Sequence, residues 1–226
     1  MYNGKPQIKI GDFWSYDEWG LLLNSGWSLN PASVKSVYVD IPAGDGALDM
    51  TEALAGEPRY NNRQLNFSLV FKQPEAELED LRMAVENYCN GQKMKIVLPH
   101  DQDHYLIGRI STGQFVRQKG TAELSFTVDC EPWRYKTNIT HVDVVLNGGG
   151  TYTGSLSNER RRVIPEITTT DNIDIKINNV TISVAEGTYK FTDLILNEGD
   201  NGFTVTSTNA GTPSVTVDIK YQEANL

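Results

Sequence analysis

Short stretches in which apolar and polar residues alternate make up most of the chain. Ile8–Ile10, Val34–Ile41, Leu65–Phe71, Lys95–Leu98, Tyr105–Ile110 and Thr121–Cys130 are rich in β-branched and aromatic residues, and turn-forming residues separate them. A period of two bounded by turns predicts half-buried strands. One segment breaks the rhythm. In "PEAELEDLRMAVENYCNG", Leu78, Leu81, Val85 and Tyr88 recur at spacings of three and four, so they fall on one helical face. Pro74 suits a first turn, Glu75, Glu77, Glu79 and Asp80 complement the positive end of the dipole, and Gly91 suits the left-handed residue past the end. A helix lying on the first sheet is expected here.

After "CEPWRYK" the pattern changes, because Pro132 has no place in a central strand. From Thr137 onward, strand-like runs return about every ten residues with Gly or Asn between them, the spacing of a small β-sandwich. In "NIDIKINNVTISV" a hairpin is expected to turn at Asn178 and Asn179, which tolerate positive φ. The length of 226 residues then divides into 1–135 and 136–226, since one core usually serves roughly 100 to 200 residues. The predicted fold is mainly β: an N-terminal β-barrel or sandwich with one α-helix, then a β-sandwich.

Composition sharpens what this fold is for. With 39% apolar and 22% charged residues the chain has enough large side chains to bury a core. A net charge of −9 opposes binding nucleic acid through its phosphates, which requires a basic surface. The one tight basic run, Arg160, Arg161 and Arg162, reads as a solvated turn. Cys89 and Cys130 sit at apolar positions of the predicted helix and of a strand, and are expected to be buried thiols. No run of about 20 apolar residues could span a bilayer, and "MYNGKPQIKIGDFW" has no signal-peptide core. A soluble protein made in cytoplasm is expected.

Candidate chemistry is sparse. Asp40, Asp45 and Asp49 with Gly44 and Gly46 offer oxygen ligands and tight turns, but the acids do not follow a calcium-loop register, so the stretch reads as a structural loop. His100 and His104, with Asp101 and Asp103 between them, would face one way on a helix; next to Pro99 and between strands they belong to a hairpin turn, and His141 is remote. No nucleophile elbow, phosphate loop or dinucleotide fingerprint is present, and acid pairs such as Glu52 and Glu57 are unspecific in so acidic a chain. Trp14, Tyr16, Trp19 and Trp27 crowd one segment, either as core closure, as a protein interface or as a sugar-stacking surface.

Taken together, "SYDEWGLLL", "VKSVYVDIPAGDGALDMTEALAGEPRYNNRQLNFSLVF", "HYLIGRI", "LSFTVDCEPWRY" and "VTVDIKYQEANL" resemble the distal tail proteins of siphophages that infect Gram-positive bacteria. That resemblance implies a ring-forming N-terminal domain, a homohexamer, and a galectin-like C-terminal sandwich. It further implies a ring that joins the tail tube protein to the baseplate hub and docks receptor-binding or peripheral baseplate proteins. Tape-measure protein or DNA would pass through the ring unread. It implies a virion component with no enzymatic activity, no cofactor and no membrane partner. The stretch from Asp40 to Arg63, including Gly44, Asp45, Gly46, Asp49 and Arg59, is expected to build part of the ring contact, with Asp45 or Asp49 meeting Arg59 or Arg63, within a subunit or across to its neighbour, as a charge-assisted pair. Some relatives carry an inserted carbohydrate-binding module, for which this chain is too short, so adhesion is expected of a partner. A free-standing carbohydrate-binding module is the alternative. Tyr152, Tyr189 and Tyr221 are the large polar rings it would have in the C-terminal part.

Overall fold

The structure, a computed structural model, describes residues 4–209, 211 and 214–226. It is mainly β and divides into two units, one running up to Arg134 and including Leu226, the other Tyr135–Asn225.

The first unit begins with β1 (Lys9–Ile10), β2 (Phe13–Trp14), α1 (Ser15–Trp19), β3 (Leu22–Leu23) and β4 (Ser28–Leu29). It continues through β5 (Tyr38–Asp40), β6 (Ala47–Asp49), β7 (Arg63–Phe71), α2 (Glu75–Cys89), β8 (Lys93–Leu98), β9 (Asp101–Gln118) and β10 (Thr121–Cys130). A curled sheet runs in the order β2-β1-β8-β9-β10-β7-β3, with β4 also on β7. Alternation in β7 and β10 decides which face is buried: Leu65, Phe67, Leu69 and Phe71 point the same way as Ala122, Leu124, Phe126 and Val128. Phe67 and Phe126 are register partners, and their rings stack 4.8 Å apart. A stack of that kind adds roughly 0.5–1.5 kcal/mol to what burial alone provides.

Helix α2 supplies Leu78, Val85 and Cys89 to the same core, with Leu81 and Tyr88 partly buried against it. Gly91 just beyond it has φ +76°, as the sequence predicts. The much shorter α1 leaves no mark in the sequence pattern, because five residues cannot display helical periodicity. It is closed by Gly20 at φ +68°, whose N–H bonds back to the Tyr16 carbonyl.

β11 (Arg134–Lys136) begins on the last residue of the first unit, and the second unit continues with β12 (Thr140–Asn147), β13 (Thr151–Asn158), β14 (Glu166–Thr169) and β15 (Ile173–Ile177). After these come β16 (Val180–Val184), β17 (Gly187–Lys190), β18 (Gly199–Ser207), β19 (Ser214–Tyr221) and β20 (Ala224–Asn225). Two antiparallel sheets, β12-β19-β14-β17 and β13-β18-β15-β16, share one core in which Val144, Ile167 and Val217 of the first meet Leu156, Ile175 and Phe203 of the second. That is a sandwich. The β15–β16 hairpin pairs Ile177 with Val180 and turns at Asn178 and Asn179, with Asn178 at φ +52°. Inside this unit Asn201 is buried and donates to the carbonyls of Leu156, Asn197 and Gly199, which ties the loop before β18 to β13.

Candidate functional site

The stretch between Val34 and Arg63 is an arm. An isolated bridge between Val34 and Tyr60 closes its base, supported by Lys35 N–H to Arg59 O at 2.7 Å and Asn61 N–H to Ser33 O at 2.8 Å. Beyond the base, β5 and β6 pair only with each other, matching Tyr38 with Asp49, Val39 with Leu48 and Asp40 with Ala47. At the tip the chain reverses through Ala43 at φ +63° and Gly46 at φ +74°, while Gly44 N–H bonds to Ile41 O at 3.0 Å. Gly44 also packs closely, since a Cβ there would lie 3.2 Å from the Ile41 side chain.

Strand alternation sorts the arm's side chains. Tyr38, Asp40, Ala47 and Asp49 lie on one face of the ribbon; Val37, Val39, Ile41, Leu48 and Met50 lie on the other. Among the described residues nothing buries the second face, whose five side chains are each between 39% and 52% exposed. The arm is therefore an amphipathic two-stranded ribbon standing in solvent. An isolated ribbon of this length is at best marginal in water.

The polar face is organised locally. Asp49 accepts the Thr51 N–H at 2.9 Å, and bonds from the Thr51 side chain and backbone hold its carboxyl below the usual range. Thr51 Oγ1 in turn accepts the Val37 N–H at 3.1 Å. Next to it is an open groove of about 560 Å³ lined by Val34, Ser36, Tyr38, Asp49, Thr51, Glu52 and Pro58. Gly44, Gly46 and Asp49 thus shape turns. Asp40 and Asp45 are exposed.

The expected pairing of these acids with arginine within the chain is not what forms. Arg59 pairs with Glu57 at 2.9 Å. Arg63 is not part of the arm's surface at all: it is the first residue of β7, 6% exposed, on the core side of the strand opposite Cys130. The placement of Arg63 in an exposed contact loop is therefore corrected. The loop ends one residue earlier than its charge pattern suggested, and period-two alternation carries position 63 inward with Leu65. Its Nε and Nη2 are buried with no acceptor among the described residues. Burial, and then the positive charge of Arg134, pull its pKa down.

The other candidates resolve into structure. Pro99 and His100 form the turn between β8 and β9, where Leu98 pairs with Asp101. His104 Nδ1 lies 2.7 Å from Asp101, whose other oxygen is 3.4 Å from Arg134. His100 stacks on Trp27 with centroids 6.2 Å apart. Among the described residues no three His, Cys, Asp or Glu side chains converge as metal ligands would. Cys89 and Cys130 are free and buried, and burial pushes both thiols up to about 12. Trp19 and Trp27 pack against the first core, and Trp19 forms an aromatic knot with Phe13 and Tyr88 at 5.2–6.1 Å. Tyr16 bonds to Lys5, and Trp14 is partly exposed. In the second unit Tyr221 is buried and donates to Ser157 O at 2.6 Å, whereas Tyr152 and Tyr189 are exposed. Arg161 lies over the Tyr135 ring at 5.2 Å. No helix among the described residues is long and apolar enough to cross a membrane.

In the sequence the arm's acids and glycines are more conspicuous than its apolar face. The signal was present, because Val37, Val39, Ile41 and then Leu48, Met50 alternate.

No family model matches the chain, and no curated protein matches it in sequence. Among solved structures it is similar to the SPP1 Dit (gp 19.1) protein, described as a paradigm of the hub adsorption apparatus in phages infecting Gram-positive bacteria. The TM-score is 0.66 at 12% identity, over 97% of this chain and 99% of that one. A de novo designed double-stranded β-helix matches 37% of this chain with a TM-score of 0.28 and 20% identity, too low to carry weight. At 12% identity the likeness to SPP1 Dit is one of fold, and it spans both units.

Proposed function

We propose that this chain is a distal tail protein, a structural subunit of a siphophage tail tip, assembled in the host cytoplasm. The observation that carries the reading is the end-to-end match of fold with SPP1 Dit, covering 97% of one chain and 99% of the other. A shared domain alone would match only in part.

In this reading residues 1–135 form the ring. Six copies joined head to tail by one-sixth rotations close without free ends, and each presents the same surfaces to the tail tube on one side and the baseplate hub on the other. The ribbon arm supplies one of the contacts between copies. Its uncovered face of Val37, Val39, Ile41, Leu48 and Met50 is a contiguous apolar patch whose side chains are each between 39% and 52% exposed, the kind of surface that often serves in interaction. Apolar burial, not an Asp–Arg pair, is then the main driving force, and Asp40 and Asp45 stay at the rim, where charges set orientation more than affinity. The net charge of −9 suits a passage that lets DNA or tape-measure protein through without holding it.

Residues 136–226, a galectin-like sandwich in this reading, face outward and dock receptor-binding or peripheral baseplate proteins. Six equal docking sites act together through effective concentration, so each contact can be weak. A sandwich fold does not itself provide a sugar site.

The test is mass in solution by light scattering over a wide concentration range, with negative-stain images of the most concentrated sample. Six-membered rings with an open centre are expected, and the double variant Val39→Lys, Leu48→Glu, which places opposite charges on register partners, is expected to remain monomeric with unfolding within about 0.5 kcal/mol of the parent, since both sites are exposed. A parent chain that stays monomeric with its tube and hub neighbours present would overturn the reading and put glycan binding through Tyr152 and Tyr189 next in line.

A further inference from the structure

The chain contains four Asn-Gly steps, at Asn3, Asn90, Asn147 and Asn201. Such a step is chemically labile when the backbone nitrogen of the glycine can reach the side-chain carbonyl of the asparagine, because glycine carries no side chain to obstruct the rotation. Asn3 lies outside the described residues. The other three stand in very different surroundings.

At Asn90 both partners are engaged. The side-chain oxygen accepts the Thr112 N–H at 3.2 Å, and the Gly91 N–H, which would be the nucleophile, donates to Ile110 O at 2.8 Å. Asn201 is 1% exposed; its amide donates to three carbonyls, and its oxygen accepts the Asn197 N–H at 2.8 Å and the Asn178 amide at 2.9 Å. Both side chains are locked.

Asn147 is neither buried nor held. It ends β12 and is exposed, and its side chain has no hydrogen bond to any described residue. Three glycines follow it, with Gly149 at φ +72°. Only its backbone is tied: Asn147 O accepts the Gly150 N–H at 2.8 Å. Gly150 O accepts the Ser207 N–H at 3.0 Å, which anchors the far end of the turn and leaves Gly148 and Gly149 between two fixed points.

We propose that Asn147 is a site of spontaneous covalent modification in the folded protein, converting to aspartate and isoaspartate. The Gly148 nitrogen attacks Cγ of Asn147 and a carbon–nitrogen bond forms. The side-chain nitrogen leaves as ammonia, taking up the proton released from the Gly148 amide. Solvent water then opens the five-membered imide at either carbonyl. The product places a carboxylate at the end of β12, in register with Ser214, and adds one negative charge to each chain. In an assembly of many copies, ageing would leave subunits of unequal charge on otherwise equivalent surfaces.

The test is incubation of the intact folded protein at mildly alkaline pH, followed by peptide mass spectrometry at Asn90, Asn147 and Asn201, with a parallel sample unfolded in urea. In the folded sample Asn147 is expected to convert at least about ten-fold faster than the other two, which must first give up native hydrogen bonds through local opening. In urea the three rates should draw together. Conversion at Asn90 or Asn201 as fast as at Asn147 in the folded sample would overturn the proposal. So would an unchanged Asn147 while the unfolded chain reacts. Neither result depends on the proposed place of the protein in a phage tail.

Discussion

Arg63 stands opposite Cys130 in the register of β7 and β10, and its guanidinium nitrogens Nε and Nη2 are buried with no acceptor among the described residues. Burying those two nitrogens costs desolvation that no hydrogen bond to a described residue offsets. Arg63→Met keeps the length and apolar stem while removing the charge, so stability should stay within about 1 kcal/mol of the parent or rise, as when other buried charges are exchanged for apolar residues. Urea unfolding checks this. A loss of several kcal/mol would show that the guanidinium has a partner in solution.

The arm turns through Ala43 at φ +63°, a left-handed conformation that costs an L-residue with a Cβ roughly 1–2 kcal/mol. Ala43→Gly should remove that strain, offset in part by the greater freedom of glycine in the unfolded chain, for a net gain of about 0.5–1 kcal/mol. Hydrogen exchange at Met50, whose N–H bonds to Val37 O at 2.8 Å, should slow accordingly. Unchanged or faster exchange would mean that the turn adopts another conformation.

Gly108 lies opposite Cys130 on the other flank of β10, and a Cβ there would sit 2.5 Å from Val128 Cγ1 and 2.9 Å from Cys130 Sγ. The Asp129 carbonyl oxygen, also 2.9 Å away, cannot move without disturbing the ladder. Gly108→Ala should therefore destabilise the first unit by about 1–3 kcal/mol, the usual range for overpacking. Calorimetry would show it, and an unaltered transition would show that the sheet yields at this point.

Cys89 and Cys130 shift from an ordinary value of 9.0 to about 12 on burial. Below pH 9 both are protonated in the folded and unfolded chains and contribute no pH dependence. Between about 9 and 12 the unfolded chain loses these protons and the folded one keeps them, so stability should fall with rising pH, by up to about 1.4 kcal/mol per pH unit for each thiol. Cys89→Ser or Cys130→Ala should flatten that slope in denaturation measured across the range. For the same reason neither thiol should react with a chromogenic disulfide at pH 8 until the protein unfolds.

Much of this was legible in the chain. Period-two runs gave the strands β7 and β10 because one face of each is buried and the other is not, and a 3.6 period gave α2 because Leu78, Leu81, Val85 and Tyr88 share a face. Asn178 and Gly91 announced positive φ, and both have it. These features are local: each follows from the conformational preferences of a few adjacent residues. The same locality explains the missed α1, too short to show a period, and the arm's apolar face, whose alternation looks like that of any core strand.

What only the tertiary structure decided is which alternating stretches find a partner. Val39 and Leu48 carry the same strand signal as Leu65 and Val128, yet β5 and β6 pair with each other alone and stay in solvent, while β7 and β10 lie in the curled sheet. Arg63 shows the converse, a charged residue drawn into the core because its strand begins there. Burial depends on contacts between residues far apart in the chain, and a local pattern of polarity cannot count them.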